Sequence, residues 1–437
     1  MTSNLTAAAA RPEPPRSFRW TVLVFVSLAM FGNYYPYDAV APVADLLSSQ
    51  LGFSNEQIGT LYSVYSVAAV LVLLAGGFVI DRYGTKRSIF FFAVLCLIAA
   101  IVTALSADIR VMLAGRFLLG IGSEPLIVAV TTALAKWFKG KELSFAFGLN
   151  LTIARLGSVA ADNSPTWARP LYADWQQPLI LAAAIAILCV LGAAAYWMLE
   201  NRAERVYSLG GQGETEKLVL RDLYQFDRAY WYIVGLCVVF YSAIFPFRAF
   251  AIKYFIDAHG ASREYAGFLN SLLPLSAMVA TPLFGLVVDR IGQRAKLMAL
   301  CSLMLLPVFL LMGFTGVSLF APVAMLGIAF SLIPAVMWPS VAYIVAERRL
   351  GSAYALMTLC QQLGVAAVPW LIGRANDALG AGPTNPGGYS GMIWILTGLA
   401  SLGLLFSFLL WRVERGPHAH GLETITTASP RQQSPGM

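Results

Sequence analysis

Long runs of apolar residues, separated by short polar stretches, occupy almost the whole chain. A hydrocarbon core of about 30 Å needs about 20 apolar residues in one helix, and the runs here reach that length. The pattern therefore predicts an all-α membrane protein with twelve transmembrane helices. The predicted helices span residues 20–46, 58–80, 87–107, 110–137, 143–170, 177–199, 229–256, 263–289, 295–315, 318–346, 351–377 and 389–413.

The longest polar stretch between two predicted helices, residues 200–228, lies near the midpoint of the chain. It predicts a linker between two six-helix bundles, residues 20–199 and 229–413. An N-terminal tail, residues 1–19, and a disordered C-terminal tail, residues 414–437, flank the bundles. The fifth predicted helix ends in a polar segment around Pro165, so a break in the helix or a loop is expected there.

Composition and charge agree with a membrane protein. Only 12% of the residues are charged and 58% are hydrophobic, whereas soluble domains carry about 25% charged residues. The net charge of +7 does not indicate nucleic-acid binding, because the basic residues flank the apolar runs. Most of them lie in the two tails and in the loops on the same side. The opposite loops hold only Arg110, Arg169, Arg263 and Arg374, which predicts that both termini are cytoplasmic.

One loop element occurs twice, at matching places in the two halves. The pattern G-x-x-x-D-R-x-G-x-[KR] follows the second helix at residues 77–87 and the eighth at residues 285–294. The two copies resemble the loop signature of the major facilitator superfamily, which implies that fold, with two pseudo-symmetric bundles around a central site. In that family these charges close the cytoplasmic side. The resemblance implies a cytoplasmic gate formed by Asp81, Arg82, Arg87, Asp289, Arg290 and Arg294.

Charged residues inside predicted spans are costly and usually face a cavity or the bundle interior. Glu124 lies at the middle of the fourth helix, and Arg155 lies about 18 Å along the fifth. Two interpretations stay open: the pair is a structural ion pair, or it holds the two ends of a zwitterionic substrate. Asp38 lines the cavity or reaches the outer surface. The roles of Arg248 and Lys253 are left open.

Aromatic residues within the spans are further candidates for the wall of a central cavity. We select Tyr65, Tyr241 and Trp338, although an aromatic residue in a membrane protein is more often part of the core or of the interface belt. Arg116 resembles a superfamily motif in the fourth helix, which implies helix coupling rather than ligand contact. No P-loop, metal-ligand cluster or nucleophile elbow occurs in the sequence. We therefore expect no enzymatic activity, no cofactor and no metal.

A closer resemblance rests on short strings at residues 137–143, 147–149, 154–158, 245–247, 338–339 and 350–354. Together they resemble the family of lysosomal dipeptide transporters known as major facilitator superfamily domain-containing protein 1. The resemblance implies uniport of diverse dipeptides, with Glu124 on the amino terminus and Arg155 on the carboxylate. Animal members of that family work with an accessory membrane subunit, for which the sequence contains no evident docking segment. A single chain is expected to form the pathway.

Two other functions stay open at this stage. One is proton-coupled transport of organic anions, drugs or other small metabolites, with Asp38 or Glu124 as the proton carrier. The other is a membrane receptor that binds peptides without moving them. The Ala- and Arg-rich composition favours the cytoplasmic membrane of a bacterium, and a lysosomal membrane would apply to a eukaryotic protein.

Overall fold

The computed structural model describes residues 12–138, 140–207, 226–417 and 419–426; the side chains of residues 74–78, Asp81 and Arg348 are outside that description. Helices account for most of these residues. The α-helices are α1 (Arg16–Asp38), α2 (Ala44–Leu51), α3 (Asn55–Tyr83), α4 (Thr85–Leu105), α5 (Ile109–Phe138), α6 (Leu143–Asp162), α7 (Ser164–Trp167), α8 (Gln176–Val206), α9 (Arg228–His259), α10 (Arg263–Ile291), α11 (Arg294–Phe314), α12 (Phe320–Ile344), α13 (Leu350–Ala378) and α14 (Ser390–Val413).

Within the described ranges, eleven helices are long and apolar enough to cross a membrane. The twelfth long helix, α1, has 23 residues and packs against α6 and α8. The predicted fold class, two six-helix bundles with twelve long helices, is confirmed. Helices α1–α8 form the N-bundle and α9–α14 the C-bundle. One hydrophobic core lies wholly within the N-bundle. A larger one fills the C-bundle and extends into the N-bundle, to residues 40–62 and to Ala104, Met112, Tyr172 and Leu179. The domain boundaries given above stay predictions.

Two predicted helices, 20–46 and 143–170, are shorter than expected, and a proline explains each difference. Helix α1 ends at Asp38, and Pro42 follows in a 3-10 turn. Pro42 has no amide hydrogen to donate to the Asp38 carbonyl, so the helix cannot continue. Likewise α6 ends at Asp162, because Pro165 cannot donate to the carbonyl of Ala161. The Ser164 hydroxyl donates to that carbonyl instead, at 2.6 Å.

The two bundles meet on the side of the membrane opposite the chain termini, here called the far side; the other is the tail side. The start of α3 and the end of α13 are joined there by Asp377, whose carboxylate accepts hydrogen bonds from the backbone amides of Asn55 and Glu56, both at 2.8 Å. The Trp370 amide donates to the Ser63 hydroxyl at 3.2 Å. Beyond these helices, Arg263 of α10 forms an ion pair with Asp45 of α2. The far side is therefore closed.

Three glycines allow this close approach of the bundles: Gly59, Gly267, and Gly373 of α13, which lies against the backbone of Asn55 on α3. A Cβ atom at Gly59 of α3 would overlap the carbonyl of Pro369 on α13, and one at Gly267 of α10 would overlap the carbonyl of Asp162 on α6. All three obstacles are backbone atoms, which cannot move without moving a helix. Small residues at these three positions are thus a condition for closing the far side.

We expect Gly59→Ala and Gly267→Ala each to separate the bundles on the far side, because the added methyl group collides with helix backbone. Pulsed electron paramagnetic resonance measures the distance between spin labels at Ser49 and Thr384 in a background without other cysteines. Both positions are exposed. Gly148→Ala is the control, since a Cβ atom at this position would meet no neighbouring side chain or helix within 4 Å. Unchanged distance distributions for both variants would contradict this role.

On the tail side, the described ion pairs all join residues of the same bundle. In the C-bundle, residues 419–426 fold back onto the turn between α10 and α11, and we call this segment the clasp. The Gln293 and Arg294 amides donate to clasp carbonyls, each at 3.1 Å. Leu422 is fully buried, and its amide donates to the Glu414 carboxylate at 3.0 Å. Part of the segment predicted to be a disordered tail is therefore attached to the C-bundle.

His420 connects the clasp to the first residues before α9. Its ring nitrogens lie 2.8 Å from an Asp227 carboxylate oxygen and 3.0 Å from one of Glu414. The hydrogen bonds with Asp227 and Glu414 raise the pKa of His420 to about 10. Since the folded-state pKa is raised above the ordinary value of about 6.5, the stabilisation is complete below that value and is lost as the pH rises through about 10.

We expect the clasp to detach between about pH 7 and pH 10, as His420 loses its proton. Hydrogen exchange of the Gln293 and Arg294 amides, corrected for intrinsic rates, should increase over this range in the wild type. In His420→Gln, exchange should already be fast at pH 7 and should change little with pH. Equal protection in both proteins across the range would show that His420 does not hold the clasp.

Candidate functional site

Glu124 lies at the middle of α5, where the two bundles face each other. Its Oε1 atom accepts hydrogen bonds from the Tyr65 hydroxyl of α3 at 3.0 Å and from the Gln362 amide of α13 at 3.2 Å. For Oε2, no hydrogen-bond partner occurs among the described residues. One oxygen of the carboxylate is thus held in place while the other can accept a ligand hydrogen bond.

Arg155 lies on α6, the helix that follows α5 in the chain. Its guanidinium carbon lies 5.3 Å from the ring centre of Phe330 on α12, a cation–π contact that reaches into the C-bundle. In the described part of the chain, neither Arg155 nor Glu124 has an oppositely charged side chain within ion-pair distance. The structural ion pair that the sequence left open is therefore absent in this conformation.

An aromatic wall continues from Phe330 along the C-bundle. Phe330 lies edge-on to Phe245, which stacks on Tyr241 at a centroid distance of 5.5 Å. The Trp338 indole donates to the Tyr241 hydroxyl at 3.1 Å, and the Tyr354 hydroxyl donates to the Trp338 carbonyl at 3.2 Å. Two of the selected aromatics, Tyr241 and Trp338, are thus in direct contact, and Tyr65 contacts Glu124. Their roles in binding stay predictions.

Tyr34 of α1 lies in the neighbourhood of Arg155, Glu124 and Asp38, and no hydrogen bond joins it to them among the described residues. Tyr34, Phe330 and Gln362 were not among the site residues predicted from the sequence. Position within a helix could have indicated Gln362, since a glutamine near the middle of a membrane span is uncommon. No feature of the sequence distinguishes Tyr34 or Phe330 from the other aromatic residues.

Asp38 is buried, and it is part of an ion cluster towards the far side. Arg248 of α9 lies 3.2 Å from Asp38 and 2.8 Å from Asp162, the last residue of α6. The Asn270 amide of α10 donates to the other Asp162 oxygen at 2.8 Å. Asp38 and Asp162 belong to the N-bundle, and Arg248 and Asn270 belong to the C-bundle. The cluster, here called the far-side triad after its three charges, joins the bundles above the central site.

Arg116 is fully buried beside this cluster, and its contacts explain how it is accommodated. Its guanidinium donates to the carbonyls of Pro36 and Tyr37 at the end of α1, both at 3.1 Å, and to that of Leu61 on α3 at 3.2 Å. It also lies over the ring of Tyr62 at 5.1 Å. These bonds join α5 to α1 and α3. A coupling role for Arg116 stays a prediction that this arrangement supports.

The predicted gate residues lie on the tail side. Arg294 pairs with Asp289 at 2.8 Å and lies over the Tyr343 ring, all within the C-bundle. Arg82, Arg87 and Arg290 are exposed. The side chain of Asp81 lies outside the described residues. Among the described residues of the tail side, each ion pair joins residues of a single bundle, and the role of the gate residues stays a prediction.

Three comparisons with known proteins identify the class. The model of the major facilitator superfamily matches residues 26–254 and 234–432, and the chain belongs to this superfamily of membrane transporters. It is therefore a multi-pass integral membrane protein that functions in transport. The relatives are more specific. The chain is 32% identical to the lysosomal dipeptide transporter MFSD1 of Homo sapiens over 428 residues, 94% of this chain and 89% of that protein.

Further relatives extend the comparison. MFSD1 of Danio rerio is 32% identical over 83% of this chain and 81% of its own length, so the chain belongs to the family of these transporters. The hexuronate transporter of Escherichia coli is 26% identical over 45% of this chain and 47% of its own. Among solved structures, a bacterial homologue of the human lysosomal transporter Spinster, inward-facing and occupied, has a TM-score of 0.73 at 16% identity. The match covers 91% of this chain and 98% of that structure, and it supports the fold.

We expect Arg248→Met to destabilise the protein by about 3–5 kcal/mol, because it leaves two buried carboxylates without a cation. Thermal unfolding in detergent measures the effect as a lower melting temperature. The melting temperature of Arg248→Lys should lie between those of the wild type and Arg248→Met, because lysine keeps the positive charge but lacks the planar guanidinium group. Lys296→Met is the control, because the ion pair of Lys296 with Glu423 lies at the surface and stabilises little. Equal melting temperatures for the Arg248→Met variant and the control would contradict the triad.

Proposed function

We propose that the chain transports dipeptides as a uniporter, by alternating access of a central site between the two bundles. Glu124 binds the amino terminus of the peptide and Arg155 binds its carboxylate. The observation that carries the proposal is that these two opposite charges lie on consecutive helices and do not pair with each other. A carboxylate accepts ammonium hydrogen bonds, and a guanidinium fork matches a carboxylate.

The surroundings of the two charges fit a small zwitterion with variable side chains. The peptide backbone would lie between Glu124 and Arg155, and its side chains would face the aromatic wall around Tyr241 and Trp338. Aromatic faces bind apolar groups with little demand on shape, which favours a range of dipeptides over one sequence. The similarity to transporters named for dipeptides supports the same substrate class.

The direction of opening follows from topology. We infer that both termini are cytoplasmic, since most basic residues lie on the tail side. In this orientation the conformation described here is closed to the outside by the far-side triad and the α3–α13 contact. Composition favours the cytoplasmic membrane of a bacterium, with a single chain forming the pathway.

An organic anion is the second candidate substrate. The partial similarity to a hexuronate transporter favours it, as does Arg155, which has no carboxylate partner in the described structure. An anion without an ammonium group would need Arg155 but not the ionised form of Glu124. Proton coupling through Glu124 or Asp38 belongs to this alternative. A receptor that binds peptide without moving it would show binding but no flux into sealed vesicles.

We expect proteoliposomes to take up radiolabelled dialanine with saturation, and Glu124→Gln and Arg155→Ala each to reduce uptake by about tenfold or more, because each removes a charge-assisted hydrogen bond. Dialanine capped at either end should compete weakly. Glu142→Gln and Arg16→Ala are the matched controls, since these residues pair with each other at the tail-side surface within the N-bundle. Absence of dialanine uptake by folded wild-type protein would contradict the proposal, and selective loss in Arg155→Ala alone would favour the organic anion.

A further inference from the structure

The hydrogen bond between Gln362 and Glu124 joins the two bundles next to the proposed substrate site. Gln362 is buried on α13 and Glu124 lies on α5, and the Gln362 amide donates to Oε1 at 3.2 Å. Tyr65, from the N-bundle, donates to the same oxygen. Two neutral donors therefore hold one carboxylate oxygen, while Oε2 is left for a ligand.

Gln362 also lies at the inner end of the closed contact between α3 and α13. Starting from the far side, this contact consists of Asp377 with the Asn55 amide, then the backbone of α13 against Gly59, then the Trp370 amide with Ser63. Gln362 is two helical turns further towards the tail side. Opening the far side has to draw α13 away from α3, and this movement would remove the Gln362 amide from Glu124.

We propose that Gln362 is a positioning residue for transport: it orients the Glu124 carboxylate towards the amino terminus of the substrate, and it does so only while α13 lies against the N-bundle. The inference rests on the proposed function, because it assigns Gln362 to the site that binds the ammonium group. Binding at Glu124 is thereby linked to the relative position of the bundles.

The chemistry of a glutamine suits this task. A lysine or arginine at this position would neutralise Glu124 and exclude a substrate ammonium group. A second carboxylate at this position would repel the Glu124 carboxylate in the empty site. An apolar side chain would leave Oε1 with the Tyr65 hydroxyl alone, so the carboxylate could rotate. An amide donor restrains the carboxylate without cancelling its charge.

The test compares two competitors of radiolabelled dialanine uptake in proteoliposomes: unlabelled dialanine, which has a free ammonium group, and N-acetyl-dialanine, which does not. In Gln362→Met, the inhibition constant of dialanine should rise roughly three- to tenfold, the usual effect of losing one hydrogen bond. The inhibition constant of N-acetyl-dialanine should stay within about twofold of its wild-type value. Gln361→Met is the control, because the Gln361 amide oxygen contacts Cys237 within the C-bundle and both constants should be unchanged.

The outcomes separate this inference from the function on which it depends. An equal rise for both competitors in Gln362→Met would indicate a general structural defect and would overturn the inference while dialanine transport stands. An unchanged constant for dialanine would also overturn it. If the wild type takes up no dialanine, the proposed function fails first, and the role of Gln362 at an ammonium site fails with it.

Discussion

A guanidinium group inside a hydrocarbon layer has to be compensated by partners of its own chain, and Arg248 is the residue on which the closed far side depends. Its two carboxylate partners, Asp38 and Asp162, end α1 and α6 of the N-bundle, whereas Arg248 and Asn270 belong to the C-bundle. The cluster thus exists only when four helices from both bundles converge. Because buried charges without partners are so unfavourable, the cluster favours one relative position of the bundles strongly.

The far-side triad also determines which charges are left for a substrate. Arg248 is occupied by two aspartates and Arg116 by backbone carbonyls. In the described part of the chain, Glu124 and Arg155 are opposite charges near the middle of the bundle that contact neutral partners, Tyr65, Gln362 and Phe330. Neutral partners desolvate a charge without cancelling it, which strengthens its attraction to a charged ligand.

The two membrane sides use different physical means to join the bundles. On the far side, glycines let helix backbones touch, and ion pairs and carboxylate–amide bonds lie in the resulting contact. On the tail side, the described ion pairs each lie within one bundle, whether buried, as Lys136 with Glu200, or partly exposed, as Lys86 with Glu204. The clasp adds a further contact that is local to the C-bundle. This asymmetry is what one conformation of a two-state transporter requires, because contacts that close one side have to be absent from the other.

Much of this protein follows from the sequence alone. Apolar runs of membrane-spanning length determine twelve helices, because a continuous apolar run of about 20 residues satisfies its own backbone in lipid by forming a helix. The repeated loop element indicates the two bundles, and charges within spans indicate Glu124 and Arg155 as candidates. The prolines that end α1 and α6 lie in the sequence as well, although the exact ends became clear only in the structure.

The tertiary structure decided the partners. Asp38 is far from Arg248 in sequence, and whether it pairs, lines a cavity or reaches the surface depends on the crossing of α1 with α9. The amide of Gln362 reaches Glu124 only because α13 packs closely on α3. Helix formation is local, so periodicity and length reveal it; pairing of charges across a helical bundle depends on how helices pack over long sequence separations, and no local pattern encodes that.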